Sequence, residues 1–156
     1  MTTDSATSQS SKAACARVLA SVLADTYFLY LKTQNFQWNV RGWDFRSLQQ
    51  LFEEQYRSLW RSLGDIAERI RALDEYAPAT HAKLKALAMV RETEGLPDAN
   101  AMLRELTVDN ETLASTLRTA LAASRAAGDE VTANLLIARL AHQEMQLWKM
   151  KSTLAS

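Results

Sequence analysis

The sequence predicts an all-α fold, a four-helix bundle with a long crossover containing a short helix between helices two and three. Three observations predict it: four long segments carry apolar residues at steps of three and four, strand-type alternation is absent, and the breaks are short, long and short. Because 156 residues with 47% hydrophobic content fit one core, we expect a single domain at residues 12–156. Residues 1–11, almost without apolar side chains, are predicted to be a flexible tail.

Helix one is predicted from about Ser11 to Trp38. Its apolar residues fall on more than one face, so we expect it to contact a second subunit as well as the core. They are Val18, Leu19, Val22, Leu23, Tyr27, Phe28, Tyr30 and Leu31. The turn that follows has Gly42 for its permissive backbone and Asp44 as the expected cap of helix two. So short a turn places helices one and two antiparallel.

Helix two is predicted from about Asp44 to Leu73 on a regular apolar stripe. The stripe consists of Phe45, Leu48, Phe52, Tyr56, Leu59, Leu63, Ile66, Ile70 and Leu73. Between Asp74 and Pro97 the pattern breaks, and a short helix is expected within the segment from Thr80 to Val90.

Helix three is predicted to begin after Pro97, with Asp98 as its cap, and to end at Gly128. Helix four then runs from about Asp129 to Leu154. Two helical pairs joined by one long crossover have the connectivity of ferritin-like bundles. The expected fold is therefore a ferritin-like four-helix bundle.

Composition narrows the classes of function. Eighteen basic and eighteen acidic residues give no bulk electrostatic reason to bind nucleic acid or membrane, so we expect DNA binding to be weak or absent. The single cysteine, Cys15, suits a reducing compartment and is predicted to be an inert buried thiol. The N-terminal segment lacks the apolar core of a secretory signal, and no apolar run approaches the roughly 18 residues of a membrane span. A cytoplasmic protein is expected.

Metal chemistry inside the bundle is not supported by the histidines. Di-iron bundles use Glu-x-x-His motifs on two helices, and this sequence has none. His81 falls in the crossover. His142 has no acid or second histidine at ligand spacing on its helical face, because Glu144 points about 200° away, so we expect it to be packed or hydrogen-bonded.

The motifs ADTYFLYLKTQNFQWNVRG, FRSLQQLFEEQY and DIAERI occur in this order, followed by GDEVTANLL and HQEMQLWKM. In these motifs the chain resembles the Dps family, the DNA-binding proteins from starved cells or mini-ferritins. The resemblance implies a dodecameric cage that takes in Fe(II), oxidises it with hydrogen peroxide and stores the mineral. It also implies an iron site between two subunits, with ligands from helices one and two of one subunit and helix two of its mate.

The ligand positions that the resemblance implies are largely altered. Gln37 and Gln49 stand where the family has histidines, and Gly64 stands where it has an aspartate. Only Glu53 and Glu68 remain as possible metal ligands. A neutral amide oxygen is a weaker donor to Fe(II) than imidazole or carboxylate. We therefore expect most iron affinity, and ordinary ferroxidase activity, to be lost.

Several alternatives stay open at these positions. Glu53 and Glu68 either remain metal ligands or form ion pairs with neighbouring arginines. The candidate arginines are Arg57, Arg61 and Arg69. Gly64 costs about 1 kcal/mol in a helix. It marks either close packing with Trp60 or a partner helix, or a site reshaped for another metal or a small organic guest. Asp65 follows Gly64 directly, and one helical step of about 100° turns its side chain away from the face of the predicted site.

The same resemblance implies roles for three further residues. Trp38 holds the position of the family's tryptophan beside the iron site, with interface packing as the alternative role. Asp129 matches an acid of the family's entry pore, and Asn134 replaces a further one, which weakens the attraction for cations.

The sequence leaves three functional hypotheses. The first is iron storage and oxidative-stress protection with a degenerate or remodelled ferroxidase site. The second is a catalytically silent shell or scaffold that binds a different guest or assembles with an active relative. The third, which the balanced charge favours least, is a nucleoid DNA-binding protein.

Overall fold

Five α-helices make up the fold in a computed structural model that describes residues 2–155, with side chains from Gln9 onward. They are α1 (Thr2–Asn39), α2 (Phe45–Ala72), α3 (His81–Leu87), α4 (Ala99–Ala126) and α5 (Glu130–Leu154). Helix α1 packs against α2 and α4, α5 packs mainly against α4, and the crossover helix α3 lies on α1. The predicted all-α bundle is confirmed, and the described residues contain no strand.

The start of α1 differs from its predicted position. The described backbone is helical from Thr2, well before the predicted start at about Ser11. Met1 and the side chains of residues 2–8 lie outside the described part, so the flexibility expected for residues 1–11 stays a prediction.

The core is formed by the apolar stripes of the four long helices. Its largest fully buried side chains include Leu19, Leu29, Phe36, Phe52, Ile66, Ile70, Met102, Leu106, Leu113 and Leu136. The predicted stripe of α2 is buried along most of its length, but Phe45 at its start is exposed.

The turns explain where the helices end. Gly42 has φ +122° and Gly128 has φ +70°, values that side chains disfavour, so glycine suits both turns. Asp98 caps α4 as predicted, its Oδ1 accepting from the Ala101 amide at 2.8 Å. Asp44 stands before α2, but its side chain makes no capping hydrogen bond. That prediction is wrong because ψ of 14° at Asp44 departs from the extended backbone usual at an N-cap.

Asp25 attaches the crossover and α4 to α1. Its carboxylate is fully buried and accepts from the amides of Met89 at 2.6 Å and Val90 at 3.0 Å. The hydroxyl of Thr116 donates to its other oxygen at 2.7 Å. Three donors compensate the burial of this charge.

A second polar contact joins α1 to α4. Lys32 Nζ lies 2.7 Å from Asp109 Oδ2, and both side chains are largely buried. Burial raises the pKa of Asp109, and the hydrogen bond from Lys32 partly offsets that effect.

Cys15 is buried as predicted, with 1% of its surface exposed. Burial raises the pKa of its thiol, and the negative charge of Asp129 acts in the same direction. Both effects disfavour the thiolate, which is the reactive form.

One segment, Gln9–Asn39, is long and apolar enough to cross a membrane by length and composition alone. An uninterrupted apolar run of this length is still absent, because Ser21, Asp25 and Lys32 interrupt the segment. In the structure 56% of its most apolar window is buried within the protein, as in the core helix of a bundle.

Candidate metal site

The residues predicted to line the metal site lie at two separate places in one chain. Gln37 is near the end of α1, and Gln49 and Glu53 are in the first turns of α2. Gly64 and Glu68 are more distal on α2, so the rise of the helix places Glu53 and Glu68 roughly 22 Å apart. One chain therefore does not bring the two glutamates together.

Glu53 is engaged by an arginine one helical turn away. Arg57 donates from Nε at 3.0 Å and from Nη2 at 2.9 Å, both to Oε1 of Glu53. The hydrogen bond from Arg57 to Glu53 is also the main reason why the pKa of Arg57 is raised. The predicted alternative, that Glu53 pairs with a neighbouring arginine, is confirmed.

Glu68 differs from Glu53. It is exposed and has no hydrogen bond or ion pair with any side chain that the structure describes. Arg69 instead binds Asp129, and Arg61 donates to the carbonyl of Arg57 at 3.2 Å. The alternative that Glu68 pairs with Arg69 or Arg61 is therefore wrong within one chain.

The two glutamines have different surroundings. The side chain of Gln37 is only 8% exposed, and its Oε1 is buried without a hydrogen-bond partner in the described part of the chain. Gln49 is half-buried. Both are neutral amides, so neither adds charge to a cation site.

Gly64 lies on the surface of α2, and a Cβ atom built there would meet no atom within 4 Å. Close packing by Trp60 is therefore not the reason for this glycine. The ring of Trp60 lies 5.4 Å from that of Tyr30 on α1 instead. Packing by a partner helix stays a prediction.

Large apolar side chains surround these positions on α1 and α2. Trp38 is 67% exposed and Trp60 is 60% exposed, and Leu31 and Phe45 are also exposed. Exposed apolar residues on two adjacent helices are typical of a protein–protein contact, and α5 carries four more, Val131, Ile137, Met145 and Trp148.

Both histidines are in hydrogen-bond or ion-pair contacts. His142 Nε2 lies 2.7 Å from Ser58 Oγ, as expected for a hydrogen-bonded histidine. His81 Nε2 lies 3.4 Å from Glu92 Oε1. Among the described residues, no group of three or more His, Cys, Asp and Glu side chains is arranged to hold a metal ion.

Comparison with known proteins gives the family. The family model of the ferritin-like domain matches residues 17–156. A DNA protection during starvation protein of Brevibacillus brevis is 32% identical, with 85% of this chain and 89% of that protein covered. The chain belongs to the Dps family of ferritin-like proteins.

Two further comparisons agree with this assignment. A protein of Nostoc sp. described as an uncharacterized low temperature-induced protein is 37% identical over 83% of this Dps chain and 74% of its own length. The crystal structure of a Vibrio cholerae Dps, described as a member of the ferritin-like diiron-carboxylate superfamily, superposes with a TM-score of 0.90. It is 25% identical, with 94% of this chain and 92% of that one covered.

The five positions predicted to line the metal site offer few donors for iron. Of the five positions, two hold neutral amides, one holds no side chain, and one holds a carboxylate already bound to Arg57. Fe(II) favours imidazole and carboxylate donors, and of these five positions Glu68 alone has a carboxylate without a partner among the described residues.

Asp129, the expected pore acid, caps α5. Its carboxylate accepts from the amide and hydroxyl of Thr132 and from Nη2 of Arg69 at 3.1 Å. Burial would raise the pKa of Asp129, but the bonds from Thr132 and Arg69 outweigh burial and lower it. Asn134 is exposed. A pore role for either residue stays a prediction.

Two buried amides on α2 and α5 were not predicted from the sequence. Gln55 is 2% exposed, and neither atom of its amide has a hydrogen-bond partner in the described part of the chain. Gln146 on α5 is 5% exposed with an unpartnered Oε1. A signal was present, because Gln55 stands between Phe52 and Leu59 at the spacing of the core stripe.

Proposed function

We propose that this chain is the subunit of a Dps-type cage, a dodecamer, that stores iron and protects against oxidative stress without a working inter-subunit ferroxidase site. Iron is the cargo in this proposal, and rapid oxidation by hydrogen peroxide is not expected at the α1–α2 face. Iron that enters would be held weakly and oxidised slowly.

The observation that carries the proposal is the ion pair between Glu53 and Arg57. At the position of a family ligand, its carboxylate accepts two hydrogen bonds from Arg57. A guanidinium compensates the charge that would otherwise attract Fe(II). Gln37 and Gln49, the predicted ligands on the same side of the site as Glu53, are neutral amides, so these three positions hold no free carboxylate.

The relatives support the cage and the storage role. The Vibrio cholerae neighbour is described as ferritin-like and diiron-carboxylate, and the Brevibacillus brevis relative as a starvation protection protein. The exposed aromatic residues of α1 and α2 offer the surface that a second subunit would cover.

The test begins with the size of the assembly by light scattering and native mass spectrometry. The sized protein is then titrated anaerobically with Fe(II), and hydrogen peroxide is added while ferric absorbance is recorded. We expect a dodecamer that binds little Fe(II) and oxidises it no faster than buffer. Stoichiometric binding followed by rapid oxidation would contradict the loss of the site.

A restored variant provides the positive control. Gln37→His, Gln49→His and Gly64→Asp together rebuild the family's donor set, and Gly64 has open space for a side chain. We expect this triple variant to bind Fe(II) and to oxidise it rapidly, particularly with Arg57→Ala added to free Glu53. The single change Gly64→Asp is the matched control and should have little effect, because one carboxylate is too few.

Long incubation of the assembled protein with iron distinguishes the storage role from the hypothesis of a catalytically silent shell. Storage predicts that the wild-type cage slowly accumulates ferric mineral when Fe(II) and peroxide are supplied. A cage that assembles but stays free of iron would overturn the storage role and favour a shell for another guest.

A further inference from the structure

A polar groove separates α2 from α5 on a face that the proposed iron site does not use. Its volume is about 450 Å³. Helix α2 contributes Glu54, Ser58, Arg61, Ser62 and Asp65, and α5 contributes Arg139, His142, Gln146 and Lys149. On each helix these residues recur at steps of three and four, so both helices present a polar stripe.

The cations of the groove are only partly neutralised. Arg139 is half-buried, and its guanidinium has no hydrogen bond or ion pair within the described residues. Arg61 donates from Nε to the Arg57 carbonyl, which leaves its terminal nitrogens available. Lys149 is 3.8 Å from Glu54, a long ion pair.

An uncompensated guanidinium in a partly buried place is costly. Burial lowers the pKa of Arg139, and the carboxylate of Asp65 opposes this effect without forming an ion pair. A group with five donors and no partner is suited to receive an anion with several acceptor oxygens.

The centre of the groove supplies neutral hydrogen-bonding groups. His142 Nε2 lies 2.7 Å from Ser58 Oγ and 3.3 Å from Gln146 Nε2. Gln146 is 5% exposed, and its Oε1 has no partner within the described chain. Burial lowers the pKa of His142, and the positive charges of Arg139, Lys149 and Arg61 lower it further. The positive charges of these three residues therefore all reach the imidazole of His142.

We propose that the α2–α5 groove binds a small phosphate-type oxyanion, held by Arg139, Arg61 and Lys149 and hydrogen-bonded by the Ser58–His142–Gln146 cluster. The oxygens of a phosphate match the guanidinium donors, and Ser58 and His142 add neutral hydrogen-bonding groups. With three cationic and two anionic side chains, the groove favours an anion over a metal cation.

The experiment is isothermal titration of the intact assembly with inorganic phosphate, in phosphate-free buffer at constant ionic strength. We expect saturable binding at millimolar phosphate or below. Arg139→Gln should weaken it at least tenfold, and Arg139→Lys should retain part of it because the charge is kept. Arg104→Gln, on an exposed position of α4 outside the groove, is the matched control and should bind as the wild type does.

Two outcomes would overturn the site. One is the absence of saturable binding to the wild-type assembly, and the other is equal binding by Arg139→Gln, which would place phosphate elsewhere. If Arg139→Gln fails to assemble, the α2 variants Arg61→Gln and Ser58→Ala replace it, and each should weaken phosphate binding. The measurement uses no iron, so its result is independent of the proposed storage function.

Discussion

Arg57 places two of its nitrogen atoms within 3.0 Å of a single oxygen of Glu53, one helical turn before it. The contact needs no partner subunit and no metal. A residue that was predicted to be a metal ligand is therefore one half of a surface ion pair.

Removing the arginine should release that carboxylate. We expect Arg57→Ala to raise the weak binding of Fe(II) to the assembled protein, measured anaerobically by equilibrium dialysis, and to leave the thermal midpoint unchanged, because the pair is exposed. Arg46→Gln, an exposed arginine of α2 outside this contact, is the control. Unchanged binding in Arg57→Ala would show that Glu53 is no ligand even when free.

Gly64→Ala should stabilise the protein by about 1 kcal/mol, because alanine favours the helix and its Cβ has open space. Denaturant unfolding of the assembly measures the change. Gly128→Ala is the opposite control, since φ of +70° at Gly128 makes any side chain unfavourable. A destabilised or dissociated Gly64→Ala would reveal a partner helix packed on this position.

Asp129→Ala should cost about 1–2 kcal/mol, because it removes both the cap of α5 and the partner of Arg69. Asp98→Ala removes a cap without an arginine partner and should cost less. Since the folded state lowers the pKa of Asp129, its contribution is complete above the ordinary pKa of aspartate and is lost as pH falls through the lowered value. Urea unfolding at neutral and acidic pH compares the two variants, and an equal loss in both would contradict a role for Arg69.

His142 should make the protein less stable in mild acid. The folded state lowers its pKa, so the unfolded chain binds the proton first and stability falls as pH drops below about 6.5. We expect His142→Gln to flatten this part of the pH profile, measured by the thermal midpoint. An equally steep profile in His142→Gln and in the wild type would argue against this origin.

Lys32→Met should destabilise the protein by about 3–5 kcal/mol, because Asp109 is left buried without its cation. Adding Asp109→Leu to Lys32→Met should recover most of the loss, since no charge then stays buried. Equilibrium unfolding of these two variants and of Asp109→Leu alone gives the coupling. Additive losses would mean that the two residues do not stabilise each other.

The helices could be predicted because their boundaries are local. Pro97 and Asp98 mark the start of α4, and Gly128 marks its end, through backbone preferences that act within a few residues. Asp44 shows the limit of such rules. Its capping role depended on an extended backbone, and the turn through Gly42 gives it a different conformation.

The site was predicted less completely. The Glu53–Arg57 contact follows from i,i+4 spacing, so the sequence already contained it as an alternative. The space around Gly64 depends on how α1 and α2 pack, which apolar periodicity does not specify. The α2–α5 groove likewise joins residues about 80 positions apart, such as Ser58 and His142, and no local pattern pairs them.

The buried carboxylate of Asp25 has a consequence for motion. Met89 and Val90 lie in irregular backbone, where amides ordinarily exchange hydrogen quickly with water, yet both donate to Asp25. Exchange at these amides requires α1 and the crossover to separate, so their protection should match that of a helix centre. We therefore expect the crossover to stay fixed to α1, and through Thr116 to α4, and not to act as a hinge between the two helical pairs.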